Sequence, residues 1–213
     1  MESEPAVRSA DEISEELGGP LSDAVSAWMS NSDHSEASWR KMMRSELSNP
    51  LESWLLGSYS RSMEKRGITP LGLESAKFIV VRAIADTSDI RNRLLSAPKA
   101  ENLTAAGPWF LEVLLRPIHQ SKIVASLLRV VGSIFEQRSV EVSPKFTGRR
   151  KWVTTVASSR HSHLNGVIIG PSEYFQVAPG VFWPTPRFDI QNASLASGCR
   201  CFLMWETTDG RFV

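Results

Sequence analysis

The feature that most limits what this chain can fold into is a change of periodicity about two thirds of the way along it. Up to residue 138, apolar side chains recur at helical spacing. Trp39, Met42, Met43 and Leu47 form one stripe, and Trp54, Leu55, Tyr59 and Met63 a second. Phe78, Ile79, Val81, Ile84 and Ala85 form a third, and Ile123, Val124, Leu127, Leu128, Val131, Ile134 and Phe135 a fourth. Spacings of three and four place each set on one face of a helix. From Lys151 the texture becomes short apolar runs of β character: Trp152 to Val156, Val167 to Ile169, and Cys201 to Trp205. The expected fold class is therefore α+β. A helical region over residues 20–138 precedes a small, loop-rich β or α+β domain over residues 149–213, with residues 139–148 as linker.

Local punctuation refines this. Residues 1–19 carry Glu2, Glu4, Asp11, Glu12, Glu15 and Glu16 against Arg8, and run into Gly18-Gly19-Pro20. Such a stretch reads as a flexible acidic tail. Ser22 is the expected cap of the first helix, with Ala24, Val25 and Trp28 inside it, and a second helix is expected to start near Ser35. Asn49-Pro50 is expected to end that helix, because proline has no N–H to donate and clashes with the preceding turn. Gly67 suits a helix C-cap, and Pro117 should break or kink the last helical stretch. Trp28, Trp39, Trp54 and Trp109 are either core residues or anchors of an interface.

Composition excludes several classes. With 42% hydrophobic and 22% charged residues, seven Trp and nine Phe, the chain can build a core and is not globally disordered. A net charge of +1 supplies no overall attraction to nucleic acid or anionic membrane. No secretory signal and no run of about 18 apolar residues is present. Two cysteines one residue apart are not a secreted disulfide framework, so a reducing cytoplasm is the expected compartment of synthesis.

The reactive side chains concentrate between His161 and Cys201. In extended chain, residues i and i+2 face the same way, so His161 with His163 and Cys199 with Cys201 are candidate ligands for a structural zinc. The alternatives are that the cysteines pack as small hydrophobes, or that a Cys–His pair supplies a nucleophile. Phosphate-binding loops, dinucleotide fingerprints and HExxH are absent. The basic group Lys145, Arg149, Arg150 and Lys151 is either a solvated linker or a weak phosphate contact.

The order of elements in the last quarter of the chain adds a resemblance. Lys151-Trp152-Val153-Thr154, then His161 followed by Leu164-Asn165-Gly166, then Phe175, Trp183-Pro184 and Gly198-Cys199-Arg200-Cys201 before an apolar strand resembles the C-terminal domain of phage Mu protein F-like minor head proteins. The resemblance spans residues 149–206 and rests on Trp152, His161, Leu164, Asn165, Gly166, Cys199 and Cys201. It implies a minor capsid protein of a tailed phage or prophage, assembled in the host cytoplasm and located in the virion head. Its partners would be the portal protein or the major capsid protein, with packaged DNA a further one. It would act in several copies within a symmetric assembly, without membrane contact or enzymatic activity. The helical region would do the docking.

Two departures stand out. Ser158 occupies the place of an arginine common three residues before the motif histidine. Ser197 lies where many members carry a second histidine before the cysteines, so a four-ligand metal site would need His163 instead. With eight residues after Trp205, an appended enzymatic domain of the kind some members carry is not expected. A reading from another class is a small metal- or cysteine-dependent hydrolase centred on His161, His163, Cys199 and Cys201.

Overall fold

The computed structural model describes residues 8–96, 114–155, 160–186 and 199–213. It has the α+β order expected, with helices first and small antiparallel sheets after them.

The first helix, α1 (Ala10–Met29), begins earlier than the sequence suggests. Ser9 Oγ accepts from Glu12 N at 3.1 Å, and the Glu12 carboxylate accepts from Ser9 N at 2.7 Å. This reciprocal box satisfies two N–H groups that a helix start leaves unpaired. Residues 10–19, expected as part of a flexible tail, are thus helical, and the helix runs straight through Gly18, Gly19 and Pro20. Ser22 lies inside the helix, where its hydroxyl donates to Leu115 O. The missing N–H at Pro20 costs about 3 kcal/mol in a helix interior. Burying Ile13, Leu21, Val25 and Trp28 along one face offsets this, at roughly 1.5–3 kcal/mol per large side chain.

The same override occurs in α2 (Glu36–Trp54), capped by Ser35, which continues through Pro50 instead of ending there. It leads directly into a π-helical turn, Leu55–Tyr59, and a short helix α3 (Ser60–Glu64). Gly67 then takes φ +76° and Ile68 N donates back to Met63 O at 3.1 Å, the expected left-handed C-cap. The helices α4 (Leu73–Ala85) and α5 (Ser88–Ser96) follow. Between them the buried Thr87 accepts from Trp39 Nε1 at 2.9 Å. The last helix, α6 (Pro117–Glu141), starts at Pro117, where the absent N–H has no helical acceptor to lose. It runs past residue 138, so the expected linker is reduced to residues 142–145.

Among the described residues, five strands form the C-terminal part: β1 (Phe146–Val153), β2 (Ile168–Ile169), β3 (Phe175–Ala178), β4 (Val181–Trp183) and β5 (Phe202–Thr207). One sheet has the order β2-β1-β5 and the other is the β3-β4 hairpin, all antiparallel. Register pairs Arg150 with Trp205 and Trp152 with Leu203, so these four share the inward face. A continuous cluster of buried apolar residues joins the helices to this face. Trp28, Trp39 and Trp54 belong to that cluster, which makes them core residues and not interface anchors; Trp109 lies outside the described residues. Among the described residues, no helix is long and apolar enough to cross a membrane.

Candidate metal centre

The site is built where the chain doubles back on β1. Trp152 N donates to Val167 O at 2.9 Å, and Gly166 N donates to Trp152 O at 2.8 Å. The returning loop is a 3-10 turn, Ser162–Leu164, followed by a type II turn. Asn165 has φ −59° and ψ 120°, Gly166 has φ +84°, and Val167 N closes on Leu164 O at 2.9 Å. The third position of that turn requires a left-handed backbone, which is why glycine stands there. Asn165 Oδ1 ties the turn to β1 by accepting from Thr154 N at 3.0 Å.

This local geometry separates the two histidines. In a 3-10 turn residues two apart point about 240° from each other around the axis, unlike the extended segment assumed from spacing. His161 is 1% exposed and faces inward. His163 is exposed, with Nε2 at 3.3 Å from Gln176 O, and does not join the cluster. The expected four-residue ligand set is therefore corrected to His161, Cys199 and Cys201.

Those three converge. His161 Nδ1 lies 3.5 Å from Cys199 Sγ and 3.8 Å from Cys201 Sγ, and all three ligand atoms fall within 4.8 Å of one another. The cysteines, at 6% and 2% exposure, are thiols and not a disulfide. A tetrahedral zinc with bonds of about 2.3 Å to sulfur and about 2.0 Å to nitrogen separates its ligand atoms by roughly 3.5 Å, so the distances fit. Two thiolates and an imidazole are also the donor set that zinc prefers. Among the described residues no fourth His, Cys, Asp or Glu joins them.

Aromatic rings enclose the cluster. His161 meets Trp152 and Trp183 edge-on at centroid distances of 5.6 and 5.7 Å, and Trp152 meets Phe175 at 5.0 Å. His161 Nε2, Trp152 Nε1, Trp183 Nε1 and Thr185 Oγ1 are buried without a hydrogen-bond partner among the described residues. With Nδ1 turned to the sulfurs, Nε2–H is the atom that a ligating histidine ordinarily donates to a second partner.

The basic group behaves differently from the expectation of a phosphate contact. Arg150 is 2% exposed and spends its donors on main-chain carbonyls. Its Nε reaches Pro184 O at 3.1 Å, Nη1 reaches Gly170 O and Pro171 O at 3.2 and 3.0 Å, and Nη2 reaches Glu173 O at 2.5 Å. Burial pulls its pKa down, and the nearby Glu141, Tyr174 and Glu173 push against that. Arg150 therefore staples β1 to the turn after β2 and to the end of β4, and offers nothing to a phosphate. Arg149 pairs with Glu206 at 2.8 Å, and Lys151 Nζ sits 5.7 Å from the centre of the Phe212 ring. Lys145 is exposed. The four cations do not form one patch.

Spacing alone did not pick out Arg150 as structural, although its i, i+2 relation to Trp152 carries the signal. Glu136 was missed altogether: it is a buried carboxylate on α6 whose partners come from distant elements. A groove of about 510 Å³ between α6 and β5 is lined by Glu136, Arg66, Arg200 and Cys201 among others, but not by His161 or Cys199. Compared with family models, curated proteins and solved structures, the chain matches none.

Proposed function

We propose that this chain is a structural component of a tailed-phage or prophage head, a minor capsid protein that contacts the portal or the inner capsid surface. The observation that carries the reading is the burial of most of the residues that carry the family resemblance, Asn165 and Gly166 in the exposed turn excepted. Trp152, His161, Leu164, Phe175, Trp183, Cys199 and Cys201 are all buried. A reaction centre needs an open metal position or an accessible nucleophile, and side chains packed this way suit a scaffold instead. In this reading His161, Cys199 and Cys201 hold a structural zinc that pins the loop before β2 to the start of β5. Such a staple matters in a sheet with few and short strands.

Docking falls to the helical part in this proposal. Its tryptophans are internal, but Leu73 and Phe78 on α4 stand exposed, Phe78 at 67%, and an aromatic of that exposure suits an interface anchor. Cryo-electron microscopy of intact heads assembled with this protein, with mass spectrometry of the purified particles, tests the proposal. The protein is expected at low copy number against the portal or inner shell. Its absence from heads at every assembly stage would overturn the reading.

A further inference from the structure

A second cavity, of about 530 Å³, opens in the helical part between α1 and the junction of α2 with α3. Its wall is the least regular backbone of the helices. Pro50 removes one helical N–H, and five residues after it the chain widens into the π turn Leu55–Tyr59. Such turns are rare in regular helices and are found often where a helix shapes a binding site. Ser58, inside the turn, accepts from Arg8 N at 2.9 Å through its hydroxyl.

Arg61 follows on the same face. It lines the cavity, and its Nε is buried with no hydrogen-bond acceptor among the described residues. Arg61 as a whole is half-buried at the cavity wall, and a shielded N–H without an acceptor costs about 1–3 kcal/mol, which an acceptor brought by a ligand would relieve. Glu16, the one carboxylate lining the cavity among the described residues, is already engaged by Arg8. Asn49, Ser53 and Ser58 add neutral polar groups to the same wall. The volume lies within the range of small-ligand sites.

We propose that this cleft binds an oxyanion, a carboxylate or a phosphate group of a small ligand, with Arg61 as the charged anchor and Asn49, Ser53 and Ser58 as neutral donors. The proposal does not depend on the metal cluster or on the virion reading. Arginine suits the role because its planar fork meets two oxygens at once, which a lysine ammonium does not reproduce.

The test follows the side-chain Nε–H signal of Arg61 by NMR in the full chain, identified by its loss in Arg61→Lys. Inorganic phosphate and acetate are titrated separately, with ionic strength held constant by chloride. A saturable downfield shift is expected. Phosphate alone producing it assigns a phosphate ligand, acetate alone a carboxylate, and both the wider class. Calorimetry should then give about tenfold weaker binding in Arg61→Lys, and weaker binding in Ser53→Ala, while Arg40→Gln on the exposed part of α2 changes nothing. No shift from either anion up to about 20 mM, weaker than any affinity worth a site, overturns the proposal. So does binding that Arg61→Lys leaves intact, because that would be unspecific attraction to charge.

Discussion

Trp205 on β5 donates its indole N–H to the Glu136 carboxylate on α6 at 2.7 Å, and both residues are buried. The same carboxylate accepts from the Tyr59 hydroxyl at 2.8 Å and from Arg66 Nη1 and Nη2, at 2.8 and 2.5 Å. One acid thus joins the π turn, the C-cap after α3, the last helix and the last strand. Burial draws the Arg66 pKa down, but the hydrogen bond and charge of Glu136 outweigh it, so the guanidinium ends above its ordinary value. Glu136→Ala is expected to lower stability by about 3 kcal/mol, the scale of breaking a buried pair and stranding its partner. Urea unfolding followed at tryptophan fluorescence measures it. A loss under about 0.5 kcal/mol, typical of a surface change, would show that the carboxylate is not a joint.

Adjacent glycines in α1 should respond in opposite directions. A Cβ at Gly18 would stand 2.5 Å from Pro117 O, where α1 crosses the start of α6, while one at Gly19 meets nothing within 4 Å. Gly18→Ala is expected to destabilise by about 1–3 kcal/mol as the backbones are pushed apart. Gly19→Ala should stabilise by about 0.5–1 kcal/mol through helix propensity and a less free unfolded chain. Thermal unfolding of the two variants separates the effects, and equal shifts would contradict the close crossing.

Reduced protein should bind one zinc per chain, lose helix–sheet cooperativity when a strong chelator removes it, and regain it on readdition. Cys201→Ser should weaken zinc by roughly 100-fold or more, since loss of a mere supporting partner already costs 10–100-fold. His163→Ala should leave affinity unchanged, because that ring lies on the surface near Gln176 O. Elemental analysis and competition with a chromophoric chelator read the outcome. Equal losses in the His163 and Cys201 variants would refute the three-residue set.

The C-terminal turn carries a pH signature. Asp209 accepts from the Thr207 hydroxyl and from Arg211 Nε, the latter at 2.7 Å, and these hydrogen bonds hold its pKa down from 3.8 to about 2. A depressed carboxylate contributes to the fold above its unfolded pKa and loses that contribution as pH falls through the folded one. The turn Thr207 to Arg211 should therefore stay ordered above pH ~4 and loosen toward pH ~2. A carboxyl NMR titration of Asp209 with its midpoint at the ordinary aspartate value would rule this out.

The sequence was most legible where one residue's own stereochemistry decides. Gly67 and Gly166 adopt left-handed backbone at +76° and +84°, positions that a side chain disfavours. Pro117 begins α6 because an N-terminal proline loses no helical bond. The stripes on α2 and α6 are buried or half-buried as periodicity requires, whereas on α4 Ile79 and Ile84 are buried and Phe78 is exposed, and the change from helical stripes to short β runs marks the α+β division. These are local energies, present in the chain before it folds.

Other positions were decided only by what lies opposite them in space. Pro20 and Pro50 carry the same local penalty as any internal proline, yet both helices continue, because the apolar faces they hold together bury several large side chains. His161 and His163 look equivalent in sequence. The 3-10 turn then sends one to the cysteines 38 and 40 residues away and the other to the surface. Arg150 reads as a surface cation until four carbonyls are seen to surround it. In each case the deciding free energy belongs to partners distant along the chain, and composition and spacing contain no term for it.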